Sequence, residues 1–401
     1  MMPDAPGAGT GTRAEAALEF SPVRGDALYR LQRKIGLIPA HGLGVGRRAL
    51  FWSLVAWLPI AVWAIAAGRA LPGTAAEPLL QHFGVHVRFL FAIPVLILGE
   101  AMAHAVGLRI IPYFARSGLV PEADRARFVS IIRDTARLRD TWRPWLVLAV
   151  LVLAWTFANP PERDVHELLW AGDNPQDRLH LGFGGWWFLY VARPIFLALA
   201  LVWLWRLFLV TVLLARIARL PLGLVPTHPD RAAGLGFLAQ VPTAFAPLSL
   251  ALSAVLASRW AHEVVYHGAS TKSYQVSAAI FAVTMAVLLL IPVLVFTPRL
   301  AATRRLALLD YGALVGEHGR LVRRRWILGE KLEAPVLDAP ELGPVADTVS
   351  LYEAVSRTRA APIGRQTLLI VGLPIAVPLL LFFMIEVPVR EHFLKLLLTL
   401  L

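Results

Sequence analysis

The run Thr227-His228-Pro229-Asp230-Arg231, followed by Gly234 and Gly236, holds the residue types that most invite chemistry in this sequence. A histidine and a carboxylate two residues apart can relay a proton or hold a metal ion. Asp230, or Thr227, can equally cap the helix that follows, while Pro226 and Pro229 hold the approach extended. Capping is the favoured reading, which leaves His228 and Asp230 as weak catalytic candidates. A second group joins Glu100 and His104, four apart and so on one helix face, to Arg193 and Arg206 farther along. Ionisable groups in apolar surroundings are costly and by default raise a question of function. The run HEVVYH, His262 to His267, has one residue more than the zinc-protease pattern HExxH. At a spacing of five the two histidines diverge by about 140° around a helix, so no metal is expected there. His82 and His86 have the spacing of four, with neither an acidic partner nor a third ligand close in sequence. The glycine-rich GAGTGT at 7–12 precedes no strand and carries no lysine, so it is not a phosphate loop. The chain has no cysteine, which removes disulfides, thiolate metal sites and cysteine nucleophiles. No cofactor and no metal follow from these groups.

Composition sets the elements that must position them. Of 401 residues, 57% are hydrophobic and 16% charged, against about 45–50% and about 25% in soluble domains. A helix needs about 20 apolar residues to cross a hydrocarbon core of about 30 Å. Seven stretches are candidates: 49–67, 89–108, 144–158 (shorter, but extendable through Trp142), 186–214, 235–257, 276–296 and 367–385. Continuous apolar runs of this kind are unlike the alternating segments of a membrane barrel. The expected fold is an all-α membrane protein, a bundle of about seven transmembrane helices with cytoplasmic amphipathic helices.

The net charge of +12 gains meaning from its placement. With the N-terminus inside, inner segments hold 29 of the 39 Lys and Arg and outer segments 8, the other two being Arg193 and Arg206. Such a bias puts the N-terminus in the cytoplasm, here of a bacterial inner membrane, the chain being multi-pass. Nearly fifty residues precede the first full-length span, unlike a cleavable signal. Arg206 falls about 30 Å along its helix from Trp186, near the inner interface, and Glu100 and His104 lie in the same inner half. A Glu100–Arg206 contact is therefore within reach, and its favoured reading is an ion pair fixing helix register rather than a proton path. Arg193, about 10 Å from the outer end, can snorkel.

The chain divides into a basic cytoplasmic N-terminal segment (1–48) and a six-span bundle (49–299) with an amphipathic insert at 110–142. A cytoplasmic helical segment (300–365) follows, then a seventh span with an interfacial C-terminal helix (366–401). The insert, and a helix over 306–328 ending in Arg323, Arg324 and Arg325, present basic faces suited to anionic headgroups. No groove-reading motif or aromatic platform accompanies them, so no nucleic-acid partner is expected. The tetrapeptide IPVL recurs at 93–96 and 291–294, which would make spans 1–3 and 5–7 parallel repeats flanking the fourth.

The runs THPDRAAGLGFL, LDYGALVGEHGRLVRRRW and PELGPVADTVSLYEAV resemble a family of bacterial multi-pass integral membrane proteins to which no activity is assigned. The resemblance covers most of the chain and implies the membrane class alone, with no catalytic residue to carry over. The function expected is non-enzymatic, lipid-interacting or scaffolding, with membrane lipids as partners. The alternatives are a transporter or channel, in which prolines within the spans break helices around a midplane site, and a membrane enzyme working through the His228–Asp230 loop.

Overall fold

The long apolar runs are helices, since a helix satisfies its backbone N–H and C=O groups internally where no water can. The computed structural model describes residues 18–40, 42–71, 77–158, 168–174, 177–331 and 343–386. After a short helix α1 (Ala27–Lys34), the first long helices are α2 (Val45–Ala66) and α3 (Phe83–Arg116). The amphipathic helix α4 (Arg125–Asp140) then meets α5 (Trp142–Ala158) at a bend of 41°. Farther on come α6 (Phe183–Ala218), α7 (Gly236–His267) and α8 (Thr271–Leu294). Helices α9 (Thr297–Val322) and α10 (Gly343–Ser356) pack on each other, and α11 (Arg365–Phe383) is the last long apolar helix. Six helices (α2, α3, α6, α7, α8 and α11) are long and apolar enough to cross a membrane, and counting the bent α4–α5 pair makes seven. A short antiparallel hairpin, β1 (Gly172–Asn174) with β2 (Asp177–Leu181), precedes α6. The expected interfacial C-terminal helix lies outside the described residues.

The helices run up and down, so contacts gather at two ends. At the N-terminal end the turn after α3 meets the turn after α6, Gly223 N–H donating to the Leu119 carbonyl. At the far end, residues 77–82 return toward α7, where the Gln81 carbonyl bonds His262 Nδ1 at 3.0 Å. Between the ends lies a core that includes Phe89, Phe188, Trp203, Phe245 and Leu248, all wholly buried. Outward faces are apolar: Leu146, Val150 and Phe157 on α5, Val276, Ile280 and Val283 on α8, Leu369, Leu373 and Leu380 on α11. Apolar surface on this scale has no stable home in water.

Two spans share a break. In α3 the turns Val87–Ala92 widen to π geometry just before Pro94; in α6, Phe188–Ala192 do so just before Pro194. Proline has no N–H to donate one turn back, and a local π turn absorbs the mismatch. The two segments touch, Phe89 packing edge-on against Phe188 and Arg88 lying 5.7 Å from the Phe188 ring centre. Both helices also exit through the same words, Ala-Arg then Gly-Leu-Val-Pro then Asp-Arg-Ala, at 115–126 and 218–232. The internal likeness visible here therefore pairs α3 with α6.

The N-terminal segment does not stay apart from the bundle. Phe20, Val23 and Tyr29 are buried, and the Phe20 carbonyl lies so close to Gly107 of α3 that a Cβ there would meet it at 2.6 Å.

Candidate functional site

Five polar side chains from four segments meet in the bundle interior. Asp26, the N-cap of α1, accepts from its own helix at Tyr29 N–H (2.6 Å), as an N-cap aspartate does. Its Oδ2 also accepts from Arg206 of α6, Nη2 at 2.8 Å and Nε at 3.3 Å. Arg206 Nη1 donates to Glu100 Oε1 of α3 at 2.9 Å, and the other Glu100 oxygen accepts from Arg48 of α2 at 2.5 Å. Arg48 Nε then donates to Gln32 of α1. Every member is at most 1% exposed. Two carboxylates face two guanidinium groups, so the formal charge balances, which is what lets four charges lie at this depth. Trp203 helps to hold the cluster: its ring lies 5.7 Å from the Arg206 guanidinium and its N–H donates to the Leu96 carbonyl. The cluster joins α1, α2, α3 and α6, and its acids and bases are occupied with one another.

A solvent-open cleft of about 350 Å³ lies next to it, walled by Ser21, Arg24, Arg30, Arg33, His104 and Arg139, with Glu19 at its edge. His104 Nδ1 and Ser21 Oγ are 2.8 Å apart. Arg139 is committed to the Asp140 carboxylate and the Ser21 carbonyl, and Arg30 donates to the Asp140 carbonyl. The Arg24 and Arg33 side chains are exposed and make no hydrogen bond or ion pair among the described residues. Four arginines against the Glu19 carboxylate give the cleft a positively charged wall, with guanidinium groups of the kind that make charge-assisted contacts to phosphate.

The sequence-derived candidates divide accordingly. Glu100 and Arg206 meet; His104 turns instead to Ser21 and the cleft. Arg193 sits half-buried at the break in α6, thirteen residues and roughly 20 Å along the helix from Arg206. Asp230 is a loop knot. Its carboxylate accepts from the N–H groups of Ala232 (2.8 Å), Gly234 (3.2 Å) and Gly236 (2.7 Å), with His228 Nδ1 at 2.9 Å from Oδ1. Partial burial disfavours its charge, but the three backbone donors and His228 outweigh that and hold the carboxyl below its ordinary range. A carboxylate so fully engaged is a structural anchor rather than a base waiting for substrate. His318 bonds Thr348 and so ties α9 to α10.

Asp26, Gln32 and Arg48 escape a sequence reading because they lie in a stretch polar enough to pass for a tail. The available signal is Phe20-Ser-Pro-Val23, an apolar patch inside that stretch. No protein family, curated protein or solved structure compared with the chain is similar to it. The likeness of the three runs to a bacterial membrane family therefore has no match behind it.

Proposed function

We propose that this chain is an integral protein of a bacterial inner membrane, N-terminus in the cytoplasm, that binds the anionic headgroup of a membrane phospholipid in the cleft beside α1. The observation that carries the reading is the pair of uncommitted guanidinium groups, Arg24 and Arg33, beside a cleft floored by the last turns of α3. In the proposed orientation this floor lies at the inner headgroup level, where phospholipid phosphates are concentrated and the surface potential is negative. His104 and Ser21 add neutral hydrogen-bonding groups to the charged wall. The occupied state of the buried cluster supports a binding role over transport or catalysis, since neither carboxylate there is open to a solute.

The test uses purified protein in neutral detergent, melted with increasing phosphatidylglycerol, with phosphatidylcholine, or with glycerol phosphate. A ligand that binds only the folded form raises the melting temperature by mass action. Phosphatidylglycerol is expected to raise it and phosphatidylcholine to leave it unchanged, and the double variant R24Q/R33Q should lose the rise while keeping its starting stability. An equal rise in the double variant would refute the cleft as the site. A full rise with glycerol phosphate alone would assign the cleft to a soluble anion instead of a lipid.

A further inference from the structure

At the far end of the bundle, four side chains separated in sequence come together. Glu77 precedes α3 in the connection from α2, His82 caps the start of α3, and His262 and His267 lie in the last turns of α7. Glu77 Oε2 stands 3.6 Å from His262 Nε2 and 3.8 Å from His82 Nε2, and Glu77 Oε1 stands 3.7 Å from His267 Nε2. The ligand atoms of Glu77, His262 and His267 all lie within 4.8 Å of one another.

Hydrogen bonding settles which way the nitrogens face. A carbonyl oxygen only accepts, so His262 Nδ1, 3.0 Å from the Gln81 carbonyl, carries its proton there. In the neutral ring that leaves a bare lone pair on Nε2, facing a carboxylate that can also only accept. His82 Nε2, stacked beside His262 with ring centres 4.6 Å apart, faces the same oxygen. Glu77 Oε2, His82 Nε2 and His262 Nε2 are all shut from solvent and have no hydrogen-bond partner among the described residues. Glu77 Oε2 and His262 Nε2 are two buried acceptors facing each other, with His82 Nε2 turned to the same oxygen, and such a pair calls for a cation. His86, one turn away, shows the contrast: its Nδ1 accepts from Trp57 and its Nε2 meets the Leu79 carbonyl, so both nitrogens are used.

We propose that Glu77, His262 and His267 form a site for a divalent transition-metal ion of the Zn²⁺ class, with His82 in reach of a fourth position. Donors bound tetrahedrally to Zn²⁺ at about 2.1 Å lie about 3.4 Å apart, a few tenths of an ångström closer than the Glu77–histidine separations here, in a ligand set that lies within 4.8 Å throughout. Imidazole and carboxylate are the donors that Zn²⁺ and its neighbours take in the absence of thiolate. The Nδ1 bond from His262 to a backbone carbonyl is the outer contact that orients a ligating histidine. Side-chain exposures of 17% at Glu77 and 25% at His267 leave a solvent approach. The five-residue spacing of His262 and His267 does not prevent the site, because their ligand atoms come within 4.8 Å of each other and of the Glu77 carboxylate. The ion would staple the α2–α3 connection to the end of α7.

The experiment takes the full chain in detergent, strips it with a chelator, and titrates Zn²⁺ by calorimetry and Co²⁺ by visible absorption. One ion per chain is expected, with the intense Co²⁺ absorption of a four-coordinate site, and a rise in melting temperature on loading. E77Q and H267A, at the more exposed positions, should each weaken binding at least tenfold while the stripped proteins melt like the parent. H86A should bind like the parent. Absence of stoichiometric binding would overturn the proposal. Unchanged affinity in both E77Q and H267A would overturn it equally, by placing the ion elsewhere.

Discussion

Glu100 holds one arginine on each of its two oxygens, so it is the residue whose loss leaves the most charge stranded. Glu100→Gln keeps the shape and removes the charge, leaving Arg48 and Arg206 with Asp26 as their one remaining anion in the cluster. Breaking a buried pair from one side costs about 3–5 kcal/mol. Glu100→Gln is therefore expected to lose that much in denaturant unfolding of the detergent-solubilised protein, with Arg206→Met in the same range. Glu19→Gln, at the exposed rim, should stay within about 0.5 kcal/mol. A Glu100→Gln protein as stable as the parent would mean that the cluster does not hold the bundle together. The Glu100–Arg206 half of this arrangement can be read from the sequence, because helix rise alone places both residues at similar depth. Asp26 and Arg48 cannot, since a charge count treats them as solvated tail. His262 and His267 are missed for another reason: their partner lies 185 positions earlier than His262 in the chain, and motif spacing sees single helices.

Helix α3 is the element on which the rest is assembled. It carries Glu100, supplies the floor of the cleft, and admits its neighbours through two glycines. A Cβ on Gly99 would come 2.4 Å from Pro247 Cβ and 3.2 Å from Trp203, the ring beside Arg206. Alanine is normally the better helix former by about 1 kcal/mol, so the sign of a Gly99→Ala substitution is diagnostic. We expect a loss of about 1–3 kcal/mol from overpacking, measured by thermal melting. Gly372→Ala in α11, where a Cβ meets nothing within 4 Å, should show no loss. Equal behaviour of the two would remove the close approach of α3 and α7 as a constraint. Apolar run length places α2, α6, α8 and α11 in the sequence to within five residues, but it stops eight and ten residues short of the ends of α3 and α7 and does not mark the breaks. Pro94 and Pro194 mark where a ladder must fail, yet whether it fails as a kink or as a widened turn depends on packing between the two spans, which no local pattern encodes.

For the whole molecule, the proposed orientation, drawn from 29 inner against 8 outer Lys and Arg, would make the two ends chemically distinct: the proposed anion-binding cleft inside and the histidine cluster outside. The absence of cysteine gives a clean background for testing this. Single cysteines at Lys34 and at Lys272 are expected to differ in intact cells, the second reacting with a membrane-impermeant maleimide and the first only after permeabilisation. The reverse pattern would invert the topology and both functional readings with it. Class and span number are legible at this scale because oiliness and loop charge are summed properties; the docking of residues 18–38 is not, because it depends on partners distributed over four later helices. That docking has a consequence for how copies of the protein are made. Asp26 and Arg206 are 180 positions apart, so the ribosome releases the first long before the second exists. Until α6 is made, the amino end can meet Gly107 of α3 and Arg139 of α4, but the Asp26 carboxylate lacks the guanidinium that holds it. The Asp26–Arg206 clasp therefore closes only once α6 is made, while α7 to α11 are still to follow, so a chain cut short before α6 keeps an unclasped amino end.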